Sequence, residues 1–142
     1  MNDDESARLL EASLDRLPSL RGLLGRIRAA LDIVEQRASS LLWADEHPWT
    51  SKERARIEGG RVTVDLHHLS QELARDAIYS VLGVIPQGYQ LRLVHGRGRH
   101  SNGVCPLRTL VRELIAQYTP AYMNLDKASA GHVDITMTRS FA

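Results

Sequence analysis

The sequence predicts an α/β domain of the α+β sandwich type, with the element order βαβαββ, a mixed four-stranded sheet and a helical extension before it. Three observations predict this fold. An apolar heptad seam runs through residues 20–41, short segments of alternating polarity follow residue 60, and two helical patterns separate those segments. Because strands joined through helices pair side by side in one sheet, we expect the helices to pack against it.

Residues 1–42 are predicted to form the helical extension. A short stripe of leucines precedes Pro18, and a longer a/d seam with 4-3-4-3-4-3 spacing follows it. This seam packs either on the chain's own domain or on a second copy, so a homodimer through residues 20–41 is one of two alternatives. The first stripe is Leu9, Leu10, Leu14 and Leu17, and the seam is Leu20, Leu24, Ile27, Leu31, Val34, Ala38 and Leu41.

Residues 43–60 lack a sustained period and end in a glycine pair, which predicts a linker. The domain is predicted to occupy residues 61–142. Its first helix begins after Ser70, a favourable N-cap, and its second begins at Pro106, a favourable first helical residue. The predicted strands cover the alternating residues Val62 to Leu66, then Tyr89 to Val94, Ala121 to Leu125 and His132 to Thr138.

Composition excludes several classes of protein. With 43% hydrophobic and 25% charged residues, the chain matches a water-soluble globular protein, and no stretch approaches the roughly 18 apolar residues of a membrane span. The lone cysteine, Cys105, excludes an internal disulfide and a cysteine-rich zinc site. The acidic start is unlike a secretory signal, so we expect a cytoplasmic protein without a membrane partner.

A basic stretch indicates an anionic partner. No Asp or Glu occurs from Ala77 to Arg112, and 16 of the 18 basic residues of the chain are arginine, whose planar guanidinium binds phosphate with two parallel hydrogen bonds. The arginines of this stretch are Arg92, Arg97, Arg99, Arg108 and Arg112. On charge alone, a solvated basic face explains the stretch equally well.

Two segments carry residues that could perform chemistry, and each follows a predicted strand. In the first, Asp65 and His67 are two residues apart and therefore share one face of the strand, while Leu66 points to the core. An aspartate beside a histidine can hold the imidazole in one tautomer. Taken alone, such a pair is more often an ordinary surface hydrogen bond.

The second segment is a glycine-bearing basic loop that leads into a helix. Glycines let the backbone approach a ligand, and the amides at a helix start favour an anion. The loop lacks the Gly-Lys-Ser/Thr ending of a P-loop and the third glycine of a dinucleotide fingerprint. Its candidate phosphate-holding residues are Gly96, Arg97, Gly98, Arg99 and His100, with Arg108 on the following helix.

A parallel crossover places the ends of the first two strands at the same edge of the sheet, so Asp65, His67 and His95 are expected to converge near this loop. Two imidazoles, a carboxylate and arginines around a phosphate suit acid–base cleavage of a phosphodiester. Zinc bound by His67, His95 and Cys105 is an alternative whose spacing fits no standard pattern. No cofactor is predicted otherwise, and participation of a divalent metal, Mg²⁺ or Mn²⁺, is left open.

At these residues the sequence resembles the Smr (small MutS-related) domain family, in its stand-alone form. That family has an aliphatic-Asp-Leu-His-Gly motif and a later His/Thr-Gly-x-Gly motif. Here they read Val64-Asp65-Leu66-His67-His68 and His95-Gly96-Arg97-Gly98, and Leu107-Arg108 looks like the start of the family's helix. The resemblance covers about residues 61–138. It implies a βαβαββ fold and nuclease activity on DNA or RNA, with Asp65, His67, His95, Gly96 and Gly98 as functional residues.

The chain departs from the family at two places. His68 replaces the glycine of the first motif, and the late glycine-rich turn is reduced to Ser129-Ala130-Gly131-His132. The sequence therefore leads to two functional hypotheses. The first is an endonuclease, a phosphodiester hydrolase with Asp65, His67 and His95 as catalytic residues. The second is a non-catalytic module that binds nucleic acid or ribosomes.

Overall fold

The computed structural model describes residues 18–40, 51–97 and 106–141. Within these ranges the chain forms four helices and five strands. The helices are α1 (Leu20–Ser40), α2 (Ser51–Arg54), α3 (Gln71–Leu82) and α4 (Pro106–Tyr118). The strands are β1 (Ala55–Glu58), β2 (Arg61–Asp65), β3 (Gln90–Val94), β4 (Met123–Ala128) and β5 (His132–Met137). This confirms the predicted α+β sandwich, and from β2 onward the elements follow the predicted βαβαββ order.

All five strands form one mixed sheet with the order β1-β2-β3-β5-β4. Strands β2 and β3 are parallel, with Asp65 opposite Val94, and α3 makes the crossover between them. The other neighbouring pairs are antiparallel. The parallel pair therefore brings the carboxyl ends of β2 and β3 to one edge of the sheet, as the sequence predicted.

The core lies between one face of the sheet and the long helices. Helix α3 begins where the sequence predicted, because the Ser70 Oγ accepts a hydrogen bond from the amide of Leu73 at 3.2 Å. Its apolar stripe and that of α4 cover strand residues that are 0% exposed, such as Val64, Leu91 and Ile135. None of the described helices is long and apolar enough to cross a membrane.

Helix α1 belongs to the same core. Ile27, Leu31 and Val34 of the predicted seam are 0% exposed, and α1 packs on α3, β1 and β2. The seam therefore packs within the chain, which is the first of the two predicted alternatives. The surface on which the homodimer hypothesis depended is already covered here, and Leu41 and residues 1–17 lie outside the described residues.

The structure contains a strand that the sequence analysis missed. Within the predicted linker 43–60, the short helix α2 leads into β1, which extends the expected four-stranded sheet to five. Gly59 and Gly60 have φ values of 59° and 77°, so they form a two-residue hairpin turn between Glu58 and Arg61. The glycine pair therefore closes a hairpin and does not end a linker.

The second face of the sheet carries a buried carboxylate. Asp134 on β5 is 5% exposed and lies opposite Arg92 on β3. Arg92 donates to both Asp134 oxygens at 2.7 and 2.9 Å, and Arg61 donates to one of them at 2.8 Å. These charge-assisted bonds lower the pKa of Asp134, with Arg92 as the main cause.

Candidate active site at the carboxyl edge of the sheet

The structure brings Asp65 and His67 into direct contact at the end of β2. Asp65 Oδ1 accepts a hydrogen bond from the His67 amide at 3.0 Å and contacts His67 Nδ1 as well. Since a carboxylate only accepts hydrogen bonds, this contact places a proton on Nδ1, so the neutral form of the imidazole has its lone pair on Nε2. The His67 side chain is 47% exposed, so that lone pair belongs to a group that solvent and substrates can reach.

Arg54, which sequence reasoning missed, holds the backbone of this pair in place. Its guanidinium donates from one nitrogen to the carbonyl oxygens of Asp65, at 3.0 Å, and His67, at 3.1 Å. Burial lowers the pKa of Arg54, against the opposing effect of the Asp65 charge. The sequence offered no signal for this role, because Arg54 lies in a charged run without periodicity. It ends the short helix α2, and only the folded structure places that helix beside the end of β2.

His68 occupies a backbone conformation that favours glycine. Its φ is 66°, in the left-handed region, and its ring lies 4.4 Å from that of His67 between centroids. The Smr motif has glycine at this position, and the conformation explains why a glycine fits there. His68 therefore places a second imidazole beside that of His67. Its own backbone is strained, because a residue with a Cβ disfavours the left-handed region.

His95 is close in sequence to the loop but is buried in the structure, with 2% of its surface exposed. Its Nδ1 donates to the carbonyl oxygen of Gly96 at 2.7 Å, and its Nε2 is buried without a hydrogen-bond partner. Burial lowers the pKa of His95, and the nearby Arg112 and Arg108 lower it further. The structure thus buries the His95 imidazole and does not place it on the surface with His67.

Gly96 joins the two motifs to the turn between β4 and β5. The amides of His95 and Gly96 both donate to the carbonyl oxygen of Gly131, at 3.0 and 3.1 Å. Gly96 has φ of 82°, and a Cβ there would lie 3.4 Å from the Cβ of His67. Glycine at this position therefore permits both the left-handed conformation and the close approach to His67.

Arginines surround this edge. Arg97 is exposed and lies over Gly131, where a Cβ would be 3.5 Å from Arg97 Cγ. Arg112 on α4 is exposed and donates to the carbonyl oxygen of Ser129 at 3.0 Å, and Arg108 is half-buried one turn earlier. The other predicted phosphate-holding residues, Gly98, Arg99 and His100, lie outside the described residues.

A serine, a histidine and an aspartate also meet near this edge, but their contacts exclude a nucleophilic triad. Ser129 Oγ accepts hydrogen bonds from the amides of Gly131 and His132, at 3.3 and 3.2 Å, and lies 3.0 Å from His132 Nδ1. Asp134 is 3.8 Å from His132 Nε2 and is already bound by two arginines. Ser129 therefore builds the turn that receives the His95 and Gly96 amides.

The zinc hypothesis gains no support from the part of the chain that the structure describes. Among those residues, no three histidine, cysteine, aspartate or glutamate side chains are grouped as ligands for a metal ion. The remaining member of the predicted set, Cys105, lies outside the described residues.

The chain has a structural similarity to one Smr domain. The solution structure of the B3BP Smr domain matches 81% of this chain and 98% of that domain, with 21% sequence identity and a TM-score of 0.41. No family model matches the chain. No curated protein matches it either.

Replacing His68 by Gly should stabilise the protein. Glycine adopts the left-handed conformation at position 68 without strain, which raises the free energy of unfolding. The greater freedom of glycine in the unfolded chain offsets part of this gain, so the net increase is about 0.5–1 kcal/mol. Urea denaturation measures the change. His68→Ala is the matched control, because it removes the imidazole but keeps the Cβ; a gain of the same size in this control would assign the effect to the ring.

The stability of the protein should fall as the pH drops below about 6.5, partly because of His95. The pKa of His95 is lowered in the folded chain, so the unfolded chain binds more protons between the folded pKa and the ordinary value of 6.5. Between these two pH values the free energy of unfolding decreases as the pH falls. Below the pKa of His95 in the folded chain, the contribution of His95 is lost completely.

His95→Gln should flatten this part of the pH profile. Urea denaturation at several pH values between about 7.5 and 5, on both sides of the ordinary histidine pKa of about 6.5, measures it. His132, whose pKa is also lowered by burial, retains its own share of the slope, so flattening is partial. Equal slopes in the variant and the original protein would show that His95 is not the titrating group.

Proposed function

We propose that the protein is an endonuclease that cleaves phosphodiester bonds of DNA or RNA. The observation that carries this proposal is the Asp65–His67 pair, with the lone pair of His67 Nε2 at an exposed edge that is lined by arginines. The motifs that resemble those of Smr domains support it, because their described residues lie at this edge, at the ends of the parallel strands β2 and β3.

In this proposal, His67 is the general base. Its Nε2 takes the proton from the attacking oxygen, while the Asp65 carboxylate accepts the hydrogen bond from Nδ1 and stabilises the imidazolium that forms. Arg54 holds the carbonyl groups of both residues and so positions the pair. General-base catalysis by a positioned imidazole contributes about 10²–10⁴-fold in rate.

Phosphate binding is assigned to the basic residues around the pair. Arg97 is exposed over the Gly131 turn, Arg112 reaches the same turn from α4, and Arg108 lies on the same helix. Guanidinium groups at these positions stabilise the negative charge that develops on the phosphate oxygens. We assign Gly96, Gly98, Arg99 and His100 to the same phosphate-holding loop on the motif alone.

A second candidate function, a nucleic-acid- or ribosome-binding module without turnover, is favoured by one observation. The imidazole that the sequence placed beside the scissile phosphate, that of His95, is buried and bonded to Gly96. Without His95, the described surface has His67 as a general base, but it has no second acid–base group assigned to protonate the leaving oxygen. Binding needs only the arginines.

Asp65→Asn and His67→Ala should separate the two functions. Each substitution removes an acid–base group and should lower the rate of cleavage about 10²–10⁴-fold. Neither residue supplies the phosphate-binding charge, so the Kd should stay near that of the original protein. The measurement is cleavage of labelled single- and double-stranded DNA and RNA, with Mg²⁺, with Mn²⁺ and with a chelator.

Asp76→Asn, at an exposed position of α3, is the matched control for charge removal and should cleave normally. If the original protein cuts none of these nucleic acids under any metal condition and both site variants bind as it does, the binding module is the correct function. If His68→Gly then restores cleavage, the left-handed histidine is the cause of the defect.

Binding should be electrostatic and insensitive to base sequence. Each arginine–phosphate contact displaces about one counterion, so the logarithm of affinity falls linearly with the logarithm of salt concentration. Arg97→Ala together with Arg99→Ala should reduce that slope by roughly one unit for each lost contact. Fluorescence anisotropy at several salt concentrations gives the slope.

Arg21→Ala is the control for this measurement. Arg21 is exposed at the start of α1, which the Tyr89–Pro18 contact places near the opposite end of β3. Its loss should leave the slope unchanged. A slope that responds to Arg21 and not to Arg97 and Arg99 would put the nucleic-acid surface at the other end of the sheet.

A further inference from the structure

The turn after β2 brings two neighbouring imidazoles together at the exposed edge. His67 and His68 are consecutive residues, yet their rings lie 4.4 Å apart between centroids and are tilted by 59°. Consecutive side chains of an extended strand point to opposite faces, so continued strand geometry would separate these rings. The chain has left strand geometry here, and the φ of His68 is 66°. The contact between the rings therefore depends on a strained backbone.

We propose that His68 is the general acid that protonates the leaving oxygen of the cleaved phosphodiester, an inference that rests on the proposed nuclease function. Both imidazoles are accessible to a substrate, since the His67 side chain is 47% exposed and His68 is exposed as well. His95, which is 2% exposed, is not available at this surface. His68 thus supplies the second acid–base group beside the general base.

The contacts of the two imidazoles divide the roles between them. Asp65 accepts the amide of His67 at 3.0 Å and contacts His67 Nδ1, so the neutral ring of His67 has its lone pair on Nε2 and can act as a base. Asp65 makes these contacts with His67 and not with His68. An imidazolium donates from both ring nitrogens, and histidine is the side chain that changes protonation state near neutral pH. The ring without the carboxylate is therefore assigned the acid role.

The proposed step balances in bonds and protons. A water molecule attacks the phosphorus and gives a proton to Nε2 of His67. The bond between phosphorus and the leaving oxygen breaks, the electron pair stays on that oxygen, and the His68 imidazolium gives it a proton and becomes neutral. After product release, the proton on His67 returns through solvent to His68. Both rings then have their starting protonation states.

The strained backbone of His68 agrees with this role. Glycine adopts the left-handed region without strain, so a histidine at this position costs folding stability. Strained residues cluster at sites where the strain or the side chain serves the mechanism. His68→Gly is therefore expected to give a more stable protein that is a poorer nuclease. A loss of cleavage in this variant would not arise from unfolding.

Two variants of His68 begin the test. His68→Gly removes the strain and the imidazole together, whereas His68→Asn removes the imidazole but keeps a polar side chain that tolerates the left-handed backbone. Both should lower the rate of cleavage of ordinary oligonucleotides about 10²–10⁴-fold, with a Kd near that of the original protein. Because the two variants differ in strain, an equal loss assigns the effect to the imidazole.

A second substrate separates proton donation from other roles. The ends of the products of the original protein identify which oxygen leaves, and an oligonucleotide with sulfur in place of that bridging oxygen is then used. A thiolate leaves without a proton, because a thiol is far more acidic than an alcohol. On this substrate both His68 variants should cleave as fast as the original protein. His67→Ala should remain slow on both substrates, since the attacking water still needs the base.

The results distinguish a failure of this role from a failure of the nuclease function. Normal cleavage of ordinary oligonucleotides by either His68 variant, or faster cleavage by His68→Gly, would overturn the role of His68 and leave the nuclease intact. A loss of the same size on both substrates would also overturn it, because His68 would then act by a route other than proton donation. If the original protein cuts no nucleic acid under any metal condition, the nuclease function fails and the general acid with it.

Discussion

Parallel pairing between β2 and β3 is the constraint on which the candidate site depends. The pairing continues past the end of β2, where the amide of Leu66 donates to the carbonyl oxygen of Val94 at 2.7 Å. Because α3 returns the chain to the same edge, the residues that follow each strand emerge side by side. The turn at Gly131 then binds the amides that follow β3, so three separate parts of the chain meet at one edge.

This arrangement gives two histidines opposite environments. His67 is half-exposed and bonded to Asp65, which suits proton exchange with a bound group. His95, after the neighbouring strand β3, is buried, and burial lowers its pKa, which favours the neutral imidazole. Its bond to Gly96 contributes to the conformation of the loop. The two residues are similar in sequence context, but only one of them is at the surface where a phosphate can bind.

Charge along the chain is not the same as charge at the surface. Arg92 belongs to the basic stretch that indicated an anionic partner, yet the structure uses it to neutralise the buried Asp134, together with Arg61. A buried carboxylate without such partners would be strongly destabilising. Arg97 and Arg112 are at the exposed edge instead, so the positive field near the candidate site comes from fewer arginines than the stretch contains.

The sequence by itself determined the βαβαββ order from β2 onward, because that order follows from local periodicity. It also predicted that Asp65 and His67 meet, but as neighbours on a strand; β2 ends at Asp65, and the two residues meet in the turn that follows, where the Asp65 carboxylate accepts the His67 amide. It also marked His68 as a departure, although only the structure shows the left-handed backbone that makes a glycine suitable there. The role of Arg54, the burial of His95 and the packing of α1 on its own domain were decided by tertiary structure alone. Each depends on which distant segments come together to exclude water, and neither spacing nor composition along the chain contains that information.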